Sequence, residues 1–182
     1  MATDHTVLYH GTTHDFNTID VNRGKPYKDF GQGFYATQSR ESAINMSLRN
    51  RTIDLRRLQR RGMTQNVVSF LYTFELNESE LTSLKVKRFG NADKEWVLFI
   101  TDNRTHNPHR HDYDVVIGPT ANDQTNPTIQ TYLNGGYGDV GSERAMAILI
   151  ELLEPYKLPY QYYFGTQKAA GLLDLKGKGI VQ

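Results

Sequence analysis

The sequence of 182 residues contains no cysteine. This absence excludes disulfide bonds, a cysteine nucleophile and zinc sites built from thiolates. Long apolar runs are missing too, since no stretch approaches the ~20 apolar residues that a transmembrane helix needs. Charges of the two signs nearly cancel, because 21 basic and 20 acidic residues give a formal net charge of +1. The overall charge therefore predicts neither a nucleic-acid partner nor a membrane partner.

The stretch MATDHTVLYHG at the beginning of the sequence has no basic segment followed by an apolar core. Such a segment marks secretion signals, and its absence together with the missing disulfides predicts a cytoplasmic protein. No internal repeat and no low-complexity segment is present. Because a chain of this length buries roughly 70% of its unfolded surface, we expect one domain over residues 1–182 with a core of its own.

Motifs of two large enzyme classes are also missing. Neither Gly-x-Ser-x-Gly nor His-Glu-x-x-His occurs, so nothing supports a serine hydrolase or a zinc peptidase. His106, His109 and His111 form a cluster, but not at the i, i+4 spacing of ligands on a helix. A solvated loop accounts for this cluster better than a metal site, and we expect no metal.

Short apolar runs alternate with helical patterns along the chain. Strands are predicted over residues 7–11, 33–37, 67–76, 113–119 and 159–166, with a weaker one at 85–89. Helices are predicted over about 39–50, 91–104, 128–133 and 142–157, and a short closing helix over 167–175. Ser39, Asn91 and Ser142 are the predicted N-caps of the first, second and fourth of these helices. This interleaving predicts an α+β domain built on a core sheet.

The segment from Arg49 to Arg61, RNRTIDLRRLQRR, is rich in arginine. It predicts a helical insertion at about 49–62 whose charged face is solvated. The alternative is a basic surface for an anionic partner, because the planar guanidinium group binds phosphate through paired hydrogen bonds. The segment is compatible with both interpretations.

Residues 29–37, DFGQGFYAT, are glycine-rich without being a phosphate loop. A dinucleotide loop opens a helix and a Walker loop ends in Gly-Lys-Ser/Thr, whereas aromatic, β-forming residues follow Gly33 here. The glycines instead allow close backbone approach and lead into a strand with Phe34 on one face and Tyr35 on the other. Both rings pack in the core, or one of them faces a planar ligand. His10 and Gly11, at the end of the first strand, are likewise either structural or part of a ligand site.

Five short motifs stand in one order along the chain. They are LYHGT (8–12), DFGQGFY (29–35), WVLFITDNR (96–104), YDVVIGP (113–119) and QYYF (161–164). Together they resemble an uncharacterised bacterial family of the ADP-ribosyltransferase superfamily, in its diphtheria-toxin-like or H-Y-E branch. The resemblance covers most of the chain. It implies an α+β fold in which two antiparallel halves of a split β-sheet enclose an NAD+ cleft, with flanking helices.

The resemblance also implies an activity. The expected protein is an NAD+-dependent mono-ADP-ribosyltransferase of bacterial or phage origin, with NAD+ as co-substrate and a protein or nucleic acid as acceptor. Small domains of this kind serve as toxins or in phage–host conflict, which implies an antitoxin or immunity partner.

Roles for individual residues follow from the same resemblance. His10 is expected to hydrogen-bond the adenosine-side ribose, the backbone of Gly11 to hold the nicotinamide amide, and Tyr35 to stack on the nicotinamide ring. The face of a tyrosine ring attracts the cationic pyridinium, and this cation–π contact contributes ~0.5–2 kcal/mol to binding. Thr12, Gly33 and Phe34 complete the expected NAD+ contacts.

The third motif departs from the H-Y-E pattern, because Gln161 stands where the branch has glutamate. That glutamate contacts the nicotinamide-ribose hydroxyl and helps a ribosyl cation to form. Glutamine can bond the hydroxyl but carries no charge. Three alternatives follow: slower transfer, a base supplied elsewhere or by the substrate, with Glu143 as a candidate, or a module that binds NAD+ or ADP-ribose without transfer. NAD+ hydrolysis, with water as the acceptor, is a further alternative to the transferase function.

Overall fold

The computed structural model describes residues 5–121, 125–153 and 158–182. A single sheet of seven strands organises them, in the spatial order β4-β5-β6-β2-β1-β3-β7. The strands are β1 (His5–Thr12), β2 (Phe34–Thr37), β3 (Ser69–Asn77), β4 (Val86–Arg88), β5 (Val115–Pro119), β6 (Tyr160–Phe164) and β7 (Leu173–Val181). The predicted α+β class is confirmed.

Helices lie between the strands. They are α1 (Arg40–Arg60), α2 (Lys94–Thr105), α3 (Asn126–Leu133), α4 (Glu143–Leu153) and α5 (Gln167–Ala170), with 3-10 turns at Val21–Arg23 and Glu78–Ser83. The predicted caps Ser39 and Ser142 are confirmed, since each hydroxyl oxygen accepts from a backbone N–H three residues later. The predicted cap Asn91 is wrong, because Asp93 accepts from the backbone N–H of Trp96. Residues 154–157 of the predicted fourth helix lie outside the described residues.

The sheet is nearly divided between β2 and β1. Their register contains one Cα pair, Tyr9 with Thr37, whereas β1 and β3 share eight pairs and β2 and β6 share four. A four-strand half (β4-β5-β6-β2) and a three-strand half (β1-β3-β7) therefore meet at a narrow junction. The candidate site described below lies at this junction between the two halves.

The predicted antiparallel arrangement holds in the three-strand half but is wrong for part of the other. β4 pairs with β5 in parallel, because the chain between these two strands runs through α2. A crossover helix returns the chain to its starting end, which makes the following strand parallel. The sheet is therefore mixed.

Alternating side chains build a hydrophobic core on each face of the sheet. Phe34 belongs to one core together with Leu8, Phe74 and Phe164. The other core contains Tyr163 and buried residues of α2, α3 and α4, among them Trp96, Ile129 and Leu149. Tyr35 packs against this second core. Phe34 and Tyr35, neighbours in the DFGQGFY motif, therefore lie on opposite faces of β2, as predicted.

Helix α1 packs closely on the three-strand half. A Cβ on Gly11 would lie 1.7 Å from the carbonyl oxygen of Ala43, so glycine is the residue that lets α1 approach β1. The helix runs on to Arg60, beyond the predicted end at about residue 50. The arginine-rich segment is therefore the C-terminal half of α1. Within the described part of the chain, no helix has the length and apolar character needed to cross a bilayer.

The closing helix predicted over residues 167–175 is wrong beyond Ala170. Strand β7, with the sequence LDLKGKGIV, begins at Leu173 and pairs antiparallel with β3. Its lysines, its glycines and the 69% exposure of Ile180 suit the edge of a sheet. Such an edge strand has weak apolar alternation, which is why the pattern did not indicate it.

Candidate functional site

His10 lies at the junction of the two sheet halves. Its Nδ1 is 2.6 Å from the carbonyl oxygen of Tyr35 on β2. Since a carbonyl only accepts, Nδ1 carries the proton and donates it, leaving Nε2 as an acceptor. The ring packs 4.5 Å from the ring of Phe34 and 5.9 Å from that of Phe16, between centroids. Burial lowers the pKa of His10 to about 4, against the opposing effect of the bond to Tyr35, so the imidazole is neutral at pH 7.

Tyr35 lies on the opposite face of β2 and is tied to its own motif. Its hydroxyl donates to the carbonyl oxygen of Gly31 at 2.6 Å and accepts from the backbone N–H of Phe30 at 3.1 Å. The ring stacks with Phe30 at 6.5 Å and meets Tyr163 edge-on at 5.3 Å. Burial, together with the nearby charge of Asp29, raises the pKa of Tyr35 well above its ordinary value. The glycine-rich loop therefore folds back onto the tyrosine and holds it.

A buried polar group surrounds Asp29. One carboxylate oxygen, Oδ1, accepts two bonds from Arg104, at 2.9 Å from Nε and 2.6 Å from Nη2. The other, Oδ2, accepts from Gln161 Nε2 and from the backbone N–H of Ala121, each at 3.0 Å. Asp29 is 8% exposed. Four donors satisfy this buried charge, which is the condition under which such a charge is tolerated.

Arg104 is held as firmly as the carboxylate. Its Nη1 donates to Asn126 Oδ1 on α3 at 3.0 Å, and its side chain is 11% exposed. Helix α2 thus supplies a guanidinium and β6 a glutamine to the Asp29 carboxylate, and α3 supplies the amide oxygen that holds the guanidinium in place. The sequence patterns predict no role for Asp29 or Arg104. Their signal is position, since Asp29 begins the motif DFGQGFY and Arg104 ends the motif WVLFITDNR.

The segment with the three histidines packs on the glycine-rich loop. His109 Nδ1 accepts from the backbone N–H of Gln32 at 3.3 Å, and a Cβ on Gly31 would lie 2.7 Å from the His109 ring. His111 Nε2 donates to the carbonyl oxygen of Phe30 at 2.8 Å. Burial lowers the pKa of both histidines. The predicted solvated loop is therefore wrong for His109 and His111, which cover residues 30–32.

The contacts of these histidines are with the glycine-rich loop and Tyr163. Across residues 5–121, 125–153 and 158–182, no group of three or more His, Asp and Glu side chains could hold a metal ion. His109 instead lies 3.4 Å from the hydroxyl of Tyr163, which donates to the carbonyl oxygen of Gln32 at 3.0 Å. The cluster serves packing around the glycine-rich loop.

Strand register decides which predicted site residues share a face. Tyr35 pairs with Tyr163 and Thr37 pairs with Gln161, so Tyr35 and Gln161 project from the same face of the four-strand half. His10 projects from the other face and reaches Tyr35 through the backbone carbonyl. The structure therefore unites Gln161 and Tyr35 with the Asp29 group and sets His10 at the junction beside them.

The remaining predicted NAD+ contacts have structural partners. Gly11 lies against α1, as described above. Thr12 Oγ1 accepts from the backbone N–H of His14 at 3.1 Å, which shapes the loop after β1. A Cβ on Gly33 would lie 2.4 Å from the ring of Tyr163. Phe34 is 8% exposed within the core. Their contacts to NAD+ stay predictions.

The comparison with protein families adds one finding. The model of a family described as a protein of unknown function, DUF3990, matches residues 6–175. The chain belongs to the DUF3990 family. The match runs from β1 into β7 and spans all five motifs. No curated protein and no solved structure matches this DUF3990 chain.

The position of Glu143 bears on the missing carboxylate. In this DUF3990 protein it begins α4, its side chain is 93% exposed, and its carboxylate lies 3.6 Å from Lys94 Nζ. Among the described residues, the carboxylate that hydrogen-bonds Gln161 belongs to Asp29. Asp29 therefore lies closer to the third motif than Glu143 does, and it is the better candidate to replace the absent glutamate.

An open groove of about 580 Å³ follows the His10 motif in the DUF3990 chain. It runs between the loop after β1 and the C-terminal half of α1, and its lining includes Thr13, Arg57 and Arg61. Thr13 Oγ1 donates to Asp54 at 2.7 Å, and Arg57 lies 3.5 Å from the same carboxylate. Arginine side chains therefore stand beside the strand end that carries His10.

Proposed function

We propose that this DUF3990 protein is an NAD+-dependent mono-ADP-ribosyltransferase whose NAD+ cleft lies at the junction of the two sheet halves. The observation that supports it most is the hydrogen bond from His10 Nδ1 to the Tyr35 carbonyl. This bond joins the first and second motifs of the resembled branch across a sheet held there by one Cα pair. The finer fold assignment, an ADP-ribosyltransferase-like split sheet, belongs to the same proposal.

The chemistry of the residues suits NAD+. A neutral His10 offers Nε2 as an acceptor for a ribose hydroxyl. The face of Tyr35 suits the cationic nicotinamide ring. Gln161 donates Nε2 to Asp29 and so presents its amide oxygen Oε1 as an acceptor for the second ribose. Gln161 and Tyr35, on one face of the sheet, can thus engage the nicotinamide ribose and the leaving ring, and His10, at the junction and on the other face, can engage the adenosine-side ribose.

In the proposed transfer, the bond between ribose C1′ and the nicotinamide nitrogen breaks, and the electron pair leaves with nicotinamide. Positive charge develops on the ribose while the nucleophile of the acceptor forms a bond to C1′ from the opposite face and releases its proton to solvent. The protein contributes mainly orientation and stabilisation of this charge. Gln161 orients the ribose through its hydroxyl, and Tyr35 orients the leaving ring.

A macromolecular acceptor, protein or nucleic acid, completes the proposal. Arg56, Arg57, Arg60 and Arg61 are exposed along the last turns of α1. They support an anionic acceptor, because guanidinium groups bind phosphate and carboxylate through paired hydrogen bonds. We extend the proposal to a role as a cytoplasmic effector in bacterial or phage–host conflict, with an antitoxin or immunity partner.

Labelled NAD+ incubated with the protein in bacterial lysate tests this function. Label on macromolecules, sorted by nuclease and protease sensitivity, is the expected result and identifies the acceptor class. Free labelled ADP-ribose would identify a glycohydrolase instead, and bound but intact NAD+ would identify a binding module. If the protein neither binds NAD+ nor turns it over, the proposal is overturned. Tyr35→Ala serves as the site control.

A further inference from the structure

Among the described residues, Asp29 is the buried carboxylate that accepts a hydrogen bond from Gln161. We propose that Asp29 is a positioning residue that acts through Gln161 and provides the negative charge that a glutamate at the third motif would carry. This inference rests on the proposed transferase function. It concerns the source of the charge at that site.

The hydrogen bond fixes the orientation of the Gln161 amide. Nε2 donates to Asp29 Oδ2 at 3.0 Å, and an amide turned by 180° would set its oxygen against a carboxylate oxygen. Two acceptors repel, so the charge of Asp29 selects one orientation. Gln161 therefore presents Oε1 as an acceptor, the polarity that a ribose hydroxyl requires of its partner.

The two oxygens of the carboxylate have different partners. Arg104 binds Oδ1 through two guanidinium nitrogens, whereas Oδ2 accepts from two neutral amides, those of Gln161 and Ala121. A hydrogen bond to an ionised group is stronger than a neutral one and polarises its donor. The amide of Gln161 consequently carries extra negative charge on Oε1, where a developing ribosyl cation needs it.

This arrangement also explains why glutamine occupies the third motif. A glutamate at position 161 would set a second carboxylate beside Oδ2 of Asp29. Two carboxylates at such a distance do not both ionise readily, so the pair takes up a proton at a higher pH than a lone carboxyl group does. The site therefore works with one acid and one amide, and the two can in principle exchange places between positions 29 and 161.

The exchange is the test. Asp29→Asn, Gln161→Glu and the double variant are compared with wild type by the kcat and KM of NAD+ turnover and by thermal unfolding. Each single variant is expected to lose about tenfold or more in kcat, with a smaller change in KM. The double variant is expected to recover at least half of that loss on a logarithmic scale, because one acid and one amide again face each other. Glu151→Gln, at an exposed position of α4, is the matched control and keeps wild-type kinetics.

Asp29→Asn leaves the buried Arg104 without its charge partner and can fail to fold. Gln161→Glu keeps that ion pair and supplies an independent measurement, the pH profile of kcat. Its kcat is expected to rise relative to wild type as the pH falls from about 8 to about 6, because one proton shared by Asp29 and the introduced carboxylate restores a neutral partner for the charge.

The outcomes separate this inference from the function beneath it. A wild-type protein that neither binds nor cleaves NAD+ removes the transferase function, and the inference with it. Wild-type turnover with a Gln161→Glu pH profile parallel to that of wild type removes the inference alone. A folded double variant no better than the weaker single variant does the same.

Discussion

The two faces of β2 hold their functional groups by different means. On one face, His10 is neutral, packs among aromatic rings and is oriented by one hydrogen bond. On the other, Asp29 and Arg104 are charged, buried and joined to each other and to amides by a network of hydrogen bonds. Packing orients the first group, whereas paired charges orient the second.

This difference has a consequence for stability. An apolar setting tolerates a neutral imidazole at little cost, but it penalises the charged form. A buried ion pair requires both of its partners, and losing one leaves an uncompensated charge. The charged face is therefore sensitive to the loss of either partner of its ion pair, and the aromatic face is sensitive to pH through His10.

Removing the guanidinium should have the largest effect. Arg104→Gln leaves the Asp29 carboxylate buried with two neutral donors, so we expect it to lower the free energy of unfolding by about 3–5 kcal/mol. Chemical denaturation measures this value. Arg110→Gln is the matched control, because the Arg110 side chain is 64% exposed and 3.5 Å from Asp102. An equal loss in both variants would contradict the contrast between the ion pairs.

The close contact between α1 and β1 should rank second. Gly11→Ala places a Cβ against the Ala43 carbonyl oxygen, which cannot move without displacing α1. Such overpacking is expected to cost about 1–3 kcal/mol or more. Gly179→Ala on β7 is the control, since nothing lies within 4 Å of its added Cβ. A Gly11→Ala variant as stable as Gly179→Ala would show that α1 does not lie on β1 at this distance.

The sequence predicts the apolar faces of this molecule better than its charged group. β1, β2, β5 and β6 are found as short apolar runs, and Phe34 and Tyr35 are correctly divided between faces by strand alternation. Local pattern suffices there, because each strand carries its own signal.

The Asp29 group has no local signal of that kind. Asp29 is 75 positions from Arg104 and 132 from Gln161, and only the folded sheet brings them together. The parallel pairing of β4 with β5 depends equally on the path of α2. Strand β7 escaped prediction for the opposite reason, since an exposed edge needs few apolar residues. Long-range contacts and sheet edges thus account for most of what the pattern missed.

Lowering the pH should destabilise the folded protein through His10 on the aromatic face. The pKa of His10 is about 4 in the folded protein and about 6.5 in an unfolded chain. The unfolded chain therefore binds more protons between these values, and stability falls as the pH decreases from 6.5 towards 4. Between pH 7 and pH 5 the loss from His10 is roughly 1–2 kcal/mol.

His10→Asn tests this pH dependence, because its side-chain amide can still donate to the Tyr35 carbonyl. Denaturation at several pH values should give a flatter profile than wild type over the same interval. His14→Asn, in the exposed loop that follows β1, should keep the wild-type profile. His109 and His111 add a dependence of the same sign in all three proteins, since burial lowers the pKa of each. An unchanged slope in His10→Asn would assign the pH dependence to groups other than His10.

The smallest expected effect separates the hydroxyl of Tyr35 from its ring. Tyr35→Phe removes the bonds to Gly31 and Phe30 and should cost about 1 kcal/mol of stability, whereas Tyr27→Phe at a 55% exposed position should cost nothing measurable. Under the proposed function the phenyl ring still meets nicotinamide, so NAD+ affinity should stay near that of wild type. Tyr35→Ala removes the ring and should weaken binding by about 2- to 30-fold. Equal loss of affinity in the two Tyr35 variants would show that the loop held by the hydroxyl, rather than the ring, determines binding.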